Sequence, residues 1–175
     1  FTGDAINSPD GLPVFRQCLT RLAAIAPTFV VRGNWDAWFW SDLDLFGGTG
    51  AREVDGEAVK VDVAGTTLWI AGAGVGREAR IGKTLAAVSS DGFSIFLHHY
   101  PYPHRIPADG AGKVDLFCAG HVHGGQIALP CYGALVTLSR YGKRYEAGLY
   151  RTDSCWMYVS RSGPITSGAS CARPS

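Results

Sequence analysis

All five histidines of this 175-residue chain fall between residues 98 and 123, and two of them lie in the run Gly120-His121-Val122-His123-Gly124-Gly125-Gln126. Earlier in the chain, Gly3-Asp4 and Gly33-Asn34 each set an oxygen-bearing side chain after a glycine. A third such place is His98-His99, which follows the apolar run Ile95-Phe96-Leu97. Carboxylate, carboxamide and neutral imidazole are oxygen and nitrogen donors suited to divalent ions such as manganese, iron or zinc. No cysteine stands with them, which argues against a thiolate zinc site. The five cysteines (Cys18, Cys118, Cys131, Cys155, Cys171) are odd in number, widely spaced and free of any C-x-x-C pair. They read as incidental thiols, with one bridge near the C-terminus left open. A single loop histidine is ordinarily structural; several polar loops aimed at one place are a different matter.

The elements that would aim them can be read from periodicity. Residues 1–7 read as the end of a strand running into a loop. Asp10 to Ala26 reads as a helix, with Pro13 early, apolar Val14, Leu19, Leu22 and Ala23 at helical spacing, and Pro27 as its stop. Thr28–Val31 is a short apolar strand. Strand, helix, strand implies parallel pairing through a right-handed crossover. Residues 54–75 alternate as strands around Gly65, Gly76 to Val88 reads as a helix, and Ser94–Leu97 and Val114–Ala119 read as buried strands. From Gln126 the chain is β-rich, over 134–137, 145–150 and 155–160. Sites in open α/β sheets lie at the carboxyl ends of strands. Asp4, Asn34, His99, His121 and His123 are therefore expected to meet in one crevice. His98 directly precedes His99 on a strand and should point the other way. Asp115 reads as a strand-entry residue with a local hydrogen bond, and His104 has no assigned role.

Composition narrows the function. A formal net charge of +1 with no Lys/Arg block gives no sign of nucleic-acid binding. No apolar run reaches the roughly 20 residues that span a bilayer, and no signal peptide is visible. No G-x-S-x-G elbow is present and no cysteine sits in a nucleophile context, which argues against a Ser or Cys hydrolase. The length suits a single domain over 1–175. The chain opens on Phe1 rather than Met and is read as a fragment or processed form.

The ordered set Gly3-Asp4, Gly33-Asn34-Trp35-Asp36, His99-Tyr100-Pro101 and Gly120-His121-Val122-His123 resembles the motifs of the calcineurin-like metallophosphoesterases. The extension Gly124-Gly125-Gln126-Ile127, with Arg140-Tyr141-Gly142 and Ala147-Gly148-Leu149-Tyr150, is similar to a bacterial branch of exported or membrane-associated phosphohydrolases. The resemblance implies an α/β fold, a four-layer α-β-β-α sandwich of two mixed sheets, here expected without its terminal strands. It implies two divalent ions, manganese, iron or zinc, with Asp4 bridging them, Asn34, His99 and His121 completing one site and His123 serving the other. Asp4, Asn34 and His99 carry the catalytic assignment, in which a hydroxide held between the ions attacks phosphorus in line. The implied substrate is a small-molecule or lipid-linked phosphoester, as a phosphodiester or pyrophosphate, in a parent protein exported or near a membrane.

Two departures qualify the resemblance. The family's Asp-x-His motif stands before Gly3-Asp4, so this chain is expected to bind one ion well and the other poorly unless residues upstream supply it. The family's leaving-group histidine is Trp35 here, and its usual Asp partner is Asn7. That double change suits a substrate with a good leaving group, such as a pyrophosphate, because general acid catalysis is typically worth roughly 10²–10⁴-fold. Trp35, Trp38, Phe39 and Trp40 form an aromatic run that is either core or, if exposed, a lip for a lipid-bearing substrate. A UDP-diacylglucosamine-type lipid pyrophosphatase is one specific alternative. Trp35, Arg140 and Arg144 are the substrate-binding candidates, with Arg77, Arg80 and Arg161 as further guanidiniums able to meet phosphate. A non-catalytic or single-metal remnant of the fold, acting as a binding or structural domain, is the competing reading.

Overall fold

The computed structural model describes residues 1–123, 127–129, 133–136 and 139–161. The first expected helix forms as a 3₁₀ turn over Pro9–Gly11 followed by helix α1, Leu12–Ala23, with Pro13 in its first turn. Proline is tolerated there because that N–H would have no intrahelical partner. Phe15 and Leu19, four residues apart, are its buried stripe. Strand β1, Phe29–Val30, pairs in parallel with β2, Arg52–Glu53. On the other side of β1, the Phe1 amino group donates to Phe29 O at 2.7 Å and the Val31 N–H donates to Phe1 O at 3.1 Å. That alternation is parallel-type pairing, so the opening residue continues this sheet.

Between β1 and β2 lies helix α2, Asn34–Phe39. An all-aromatic face with no apolar/polar alternation concealed it in the sequence. It starts where it does because the Asp36 carboxylate takes the Gly33 N–H at 2.8 Å, satisfying a donor that the helix leaves free.

The main sheet has six strands in the order β3-β4-β5-β6-β10-β9. They are β3 (Glu57–Val63), β4 (Thr66–Ala73), β5 (Phe93–His98), β6 (Leu116–Ala119), β9 (Gly148–Arg151) and β10 (Trp156–Val159). The inner strands β4, β5, β6 and β10 are mutually parallel; β3 and β9 pair antiparallel at the two margins. β3 and β4 form a hairpin through Ala64 and Gly65, both at positive φ, as a two-residue turn requires. Helix α3, Ile81–Ala86, follows a 3₁₀ turn over Glu78–Arg80, a broken version of the expected 76–88 helix. β7 (Ile127–Leu129) and β8 (Gly133–Val136) make a separate antiparallel pair.

Strand parity stacks these elements into layers. On one face of the main sheet Ala71, Phe96, Phe117 and Met157 pack with Ile81 and Leu85 of α3. On the other, Ile70 and Leu97 pack with Val31 and Val54 of the smaller sheet. Val30, one residue from Val31, faces away and packs with Phe15 and Leu19 of α1. Helix, small sheet, large sheet, helix is the expected α-β-β-α order. Among the described residues no helix is long and apolar enough to cross a membrane. Cys18, Cys118 and Cys155 form no disulfide; Cys131, Cys171 and the Gly124-Gly125-Gln126 run lie outside the described residues.

Candidate metal centre

The loops after Phe1–Gly3, β1, β5 and β6 open on the same edge of the two sheets. Gly3 and Gly33 stand back to back: a Cβ on Gly3 would lie 2.3 Å from Gly33 N, and one on Gly33 would lie 2.3 Å from Asp4 Oδ1. No side chain fits either place, so these glycines set how closely the Asp4 and Asn34 loops approach. Asp4, His121 and His123 adopt positive φ, at 58°, 71° and 51°. Left-handed backbone at a non-glycine residue costs on the order of 1–3 kcal/mol and collects at functional sites. Among the described residues the one other non-glycine case is the hairpin residue Ala64, so this strain is concentrated on three of the five candidate ligands.

The side chains converge. His99 is fully buried, and its Nδ1 lies 2.7 Å from the Thr2 carbonyl oxygen. A carbonyl only accepts, so Nδ1 carries the hydrogen and Nε2 of the neutral ring presents a lone pair. That Nε2 lies 2.8 Å from Asn34 Oδ1, 3.1 Å from His121 Nδ1 and 3.3 Å from Asp4 Oδ2. His121 Nδ1 is 3.0 Å from Asn34 Oδ1. Acceptors facing acceptors at such distances need a proton or a cation among them. The donor atoms of Asp4, His99 and His121 all lie within 4.8 Å of one another, a spacing that one ion can span. Donor type, tautomer and spacing thus fit a divalent ion. His123 Nε2 sits 3.8 Å from the same Asp4 Oδ2, so one carboxylate oxygen faces His99 on one side and His123 on the other.

Electrostatics agree with that geometry. Burial pushes the Asp4 carboxyl up, but the His99 imidazole beside it, the Trp35 N–H at 3.0 Å and the His123 imidazole outweigh it, holding Asp4 below the ordinary carboxylate value. Its neighbour Asp36 goes the other way. Burial dominates and raises it, despite hydrogen bonds from Gly33, Ala5 and Asp4; the Asp4 charge adds to the rise.

Asp36 is the residue that sequence reasoning passed over. It is completely buried; Oδ2 accepts the N–H groups of Asp4 and Gly33, and Oδ1 accepts that of Ala5, each at 2.8 Å. One carboxylate therefore staples the two ligand-bearing loops together. Its signal was the spacing Gly33-Asn34-x-Asp36, two residues beyond a ligand and three beyond a glycine whose N–H needs a partner.

The remaining expectations divide. His98 does point away from His99, as strand parity requires, with Nδ1 donating to Ala73 O at 2.7 Å. Asp115, just before β6, accepts from the Ser94 N–H and hydroxyl of the neighbouring strand β5, a cross-strand bond rather than the expected local one. Trp35 touches the centre through its backbone; its ring is 40% exposed and packs on Phe39 at 5.0 Å. Trp38 and Phe39 are exposed, whereas Trp40 is half buried and its Nε1 donates to Ile6 O. Of the two arginine candidates, Arg140 donates its backbone N–H to Tyr102 Oη at 3.4 Å, and the Arg144 guanidinium stacks on Tyr145 at 5.3 Å.

A layered pair of sheets, the larger one mixed, with Asp, Asn and His donors at the strand ends is the arrangement of the calcineurin-like metallophosphoesterases, the class that the motifs resemble. Among particular proteins, the chain is 45% identical over 83 residues to the uncharacterized metallophosphoesterase YkuE of Bacillus subtilis. That match covers 47% of this chain and 28% of YkuE, so the chain spans well under half of this relative's length. In fold it is similar to sulfate thiohydrolase SoxB of Thermus thermophilus, with a TM-score of 0.53, 14% identity and coverage of 90% of this chain and 32% of that one. No family model matches the chain.

Proposed function

We propose that this chain is the site-bearing part of a metal-dependent phosphoester hydrolase. The observation that carries the reading is the meeting of Asp4, Asn34, His99 and His121 at one point, with the His99 lone pair turned inward by Thr2. Divalent ions bound there would supply Lewis-acid polarisation of the phosphoryl group and a nucleophile derived from water. Asp4, shared between His99 and His123, suits a centre of two ions. Asp36 holds the Asp4 and Asn34 loops in register, and the His99–Thr2 bond fixes one imidazole. Hydrolysis joins a water oxygen to phosphorus, breaks the P–O ester bond and passes a proton to the departing oxygen.

The test is the metal content and turnover of the full chain after loading with manganese. One ion held tightly, a second held more weakly, and manganese-dependent cleavage of p-nitrophenyl phosphoesters are expected. One ion or none, with no turnover on any divalent metal, would place the chain with the non-catalytic binding domains instead.

A second reading concerns the substrate. Trp35 and Phe39 are exposed and ring-packed on the helix whose first residue is Asn34. Amphipathic aromatic residues beside the centre suit a lipid-linked phosphoester, including a lipid pyrophosphate. Turnover on a pyrophosphate-linked lipid in mixed micelles should then exceed that on a water-soluble alkyl phosphate. Preference for the soluble ester would sink this second reading and leave the first standing.

A further inference from the structure

Against α2, the helix that carries Asn34, lies a cavity of about 640 Å³ lined by Trp38, Arg32, Arg77, Glu53, Asp55 and Glu57, with the Gly74–Gly76 turn behind it. It sits at the carboxyl ends of β1, β2 and β4, the edge on which α/β sheets bind ligands. Trp38 is four residues beyond Asn34, so the two share a helix face one turn apart, about 6 Å along the axis. One end of α2 thus carries a candidate ligand, Asn34, and the next turn lines the cavity.

The walls decide what that group is. Each carboxylate has a guanidinium partner: Glu53 with Arg32 at 3.0 Å, Asp55 with Arg77 at 3.3 Å and Glu57 with Arg52 at 2.7 Å. Arg32 is locked further by the carbonyls of Trp40 and Leu43. The cavity is thus near neutral in sum, which gives a second phosphate no net attraction. It is also polar, which penalises an acyl chain. A carboxylate offers about four acceptor positions. Asp55 spends them on Arg77 and the Gly74 N–H, and Glu53 and Glu57 each on one arginine, which leaves acceptors facing the space. Over them stands an indole that is 64% exposed. An apolar platform beside fixed acceptors suits a ring with C–H groups on its face and hydroxyls around its edge.

We infer that this cavity is a subsite for an uncharged sugar or polyol, carried as the ester group of the phosphate bound at the neighbouring centre, with Trp38 as the stacking platform. The inference rests on the hydrolase reading above and adds a substrate class to it. It also assigns a role to an aromatic residue that the metal centre does not use.

The test compares two primary alkyl phosphates of similar leaving-group basicity, a hexose 6-phosphate and ethyl phosphate, with the manganese-loaded full chain. The ratio of their kcat/KM values should favour the hexose ester. In Trp38→Ala that ratio should fall roughly tenfold, through KM, the size of one stacking contact. Tryptophan fluorescence is the readout that needs no turnover: the hexose phosphate should quench the wild type saturably and leave Trp38→Ala unquenched. A ratio near one together with no saturable quenching overturns the subsite. Tighter quenching by a nucleotide or an acyl phosphate than by the hexose ester overturns the assignment to sugars. Should the wild type hydrolyse no phosphoester at all, the hydrolase reading fails, and quenching alone then decides whether the sugar subsite stands.

Discussion

His98 and His99 are the same residue type, adjacent in sequence and both fully buried, yet they end in opposite worlds. The pleat of β5 turns His99 toward the smaller sheet and His98 toward the α3 face. The rings are held alike: each Nδ1 donates to a backbone carbonyl 2.7 Å away, Thr2 for His99 and Ala73 for His98. What differs is the company of Nε2. For His99 it is Asp4, Asn34 and His121, all able to accept. For His98 it is the Arg105 guanidinium at 3.3 Å, a donor that is itself paired with Glu78. A lone pair already met by a donor is structural. A lone pair facing other acceptors is a place that could hold a cation.

That contrast can be broken by paired substitutions. His99→Ala is expected to abolish both metal retention and hydrolysis while the circular-dichroism spectrum stays native. His98→Ala is expected to keep the ion but lose about 3 kcal/mol of stability, because it empties a buried site and orphans the Ala73 carbonyl. Metal analysis of both proteins with urea unfolding of both is the measurement. An ion lost from His98→Ala as fully as from His99→Ala would erase the division between the two faces.

A pH scan addresses the same pair. Burial, with the Arg105 charge, lowers His98 to about 4, against the opposing Ala73 bond and the Glu78 charge. The unfolded chain takes up this proton near pH 6.5, and the folded chain does not until about pH 4. Within that window the unfolded state binds more protons, so stability falls as the pH drops; above it this group contributes no slope. The loss across the window is on the order of 3 kcal/mol. It should shrink in His98→Gln, which cannot titrate, and an unchanged slope would show that His98 is charged when folded.

Asp36→Asn comes next in size. The amide would set an NH₂ against at least one of the three backbone N–H groups that the carboxylate now accepts, at a cost of about 2 kcal/mol. Because those groups belong to the Asp4 and Gly33 loops, manganese affinity should fall along with stability. Weakened unfolding with unaltered manganese titration would make Asp36 a helix cap and nothing more.

The candidate ligands were legible because each is a polar residue set beside glycine, or at the end of an apolar run, at the mouth of a strand. Parity then separated His98 from His99 without a structure. The four-layer order was legible from the motifs, not from periodicity, since no local pattern tells which face of β1 meets α1. Helix α2 was hidden because its face is aromatic and carries no apolar/polar alternation. The Asp36 staple was hidden because two of its bonds come from the N–H groups of Asp4 and Ala5, more than 30 residues away in sequence. The cavity beside Trp38 was hidden likewise, since its charged walls come from β1, β2 and the β4 turn and neutralise one another only when folded together.

The smallest expected effect separates backbone from side chain at Trp35. The residue holds Asp4 Oδ1 through its N–H, which alanine retains, and its ring lies 40% exposed against Phe39. Trp35→Ala should therefore cost about 0.5 kcal/mol of stability, in the range of surface substitutions. If the ring belongs to an apolar lip, the same variant should bind less well to lipid vesicles and lose turnover on a lipid-linked ester more than on a soluble one. A stability loss above about 2 kcal/mol would mean that the ring is packed as core. The aromatic run would then brace the metal loops, and the lip would reduce to Phe39 alone.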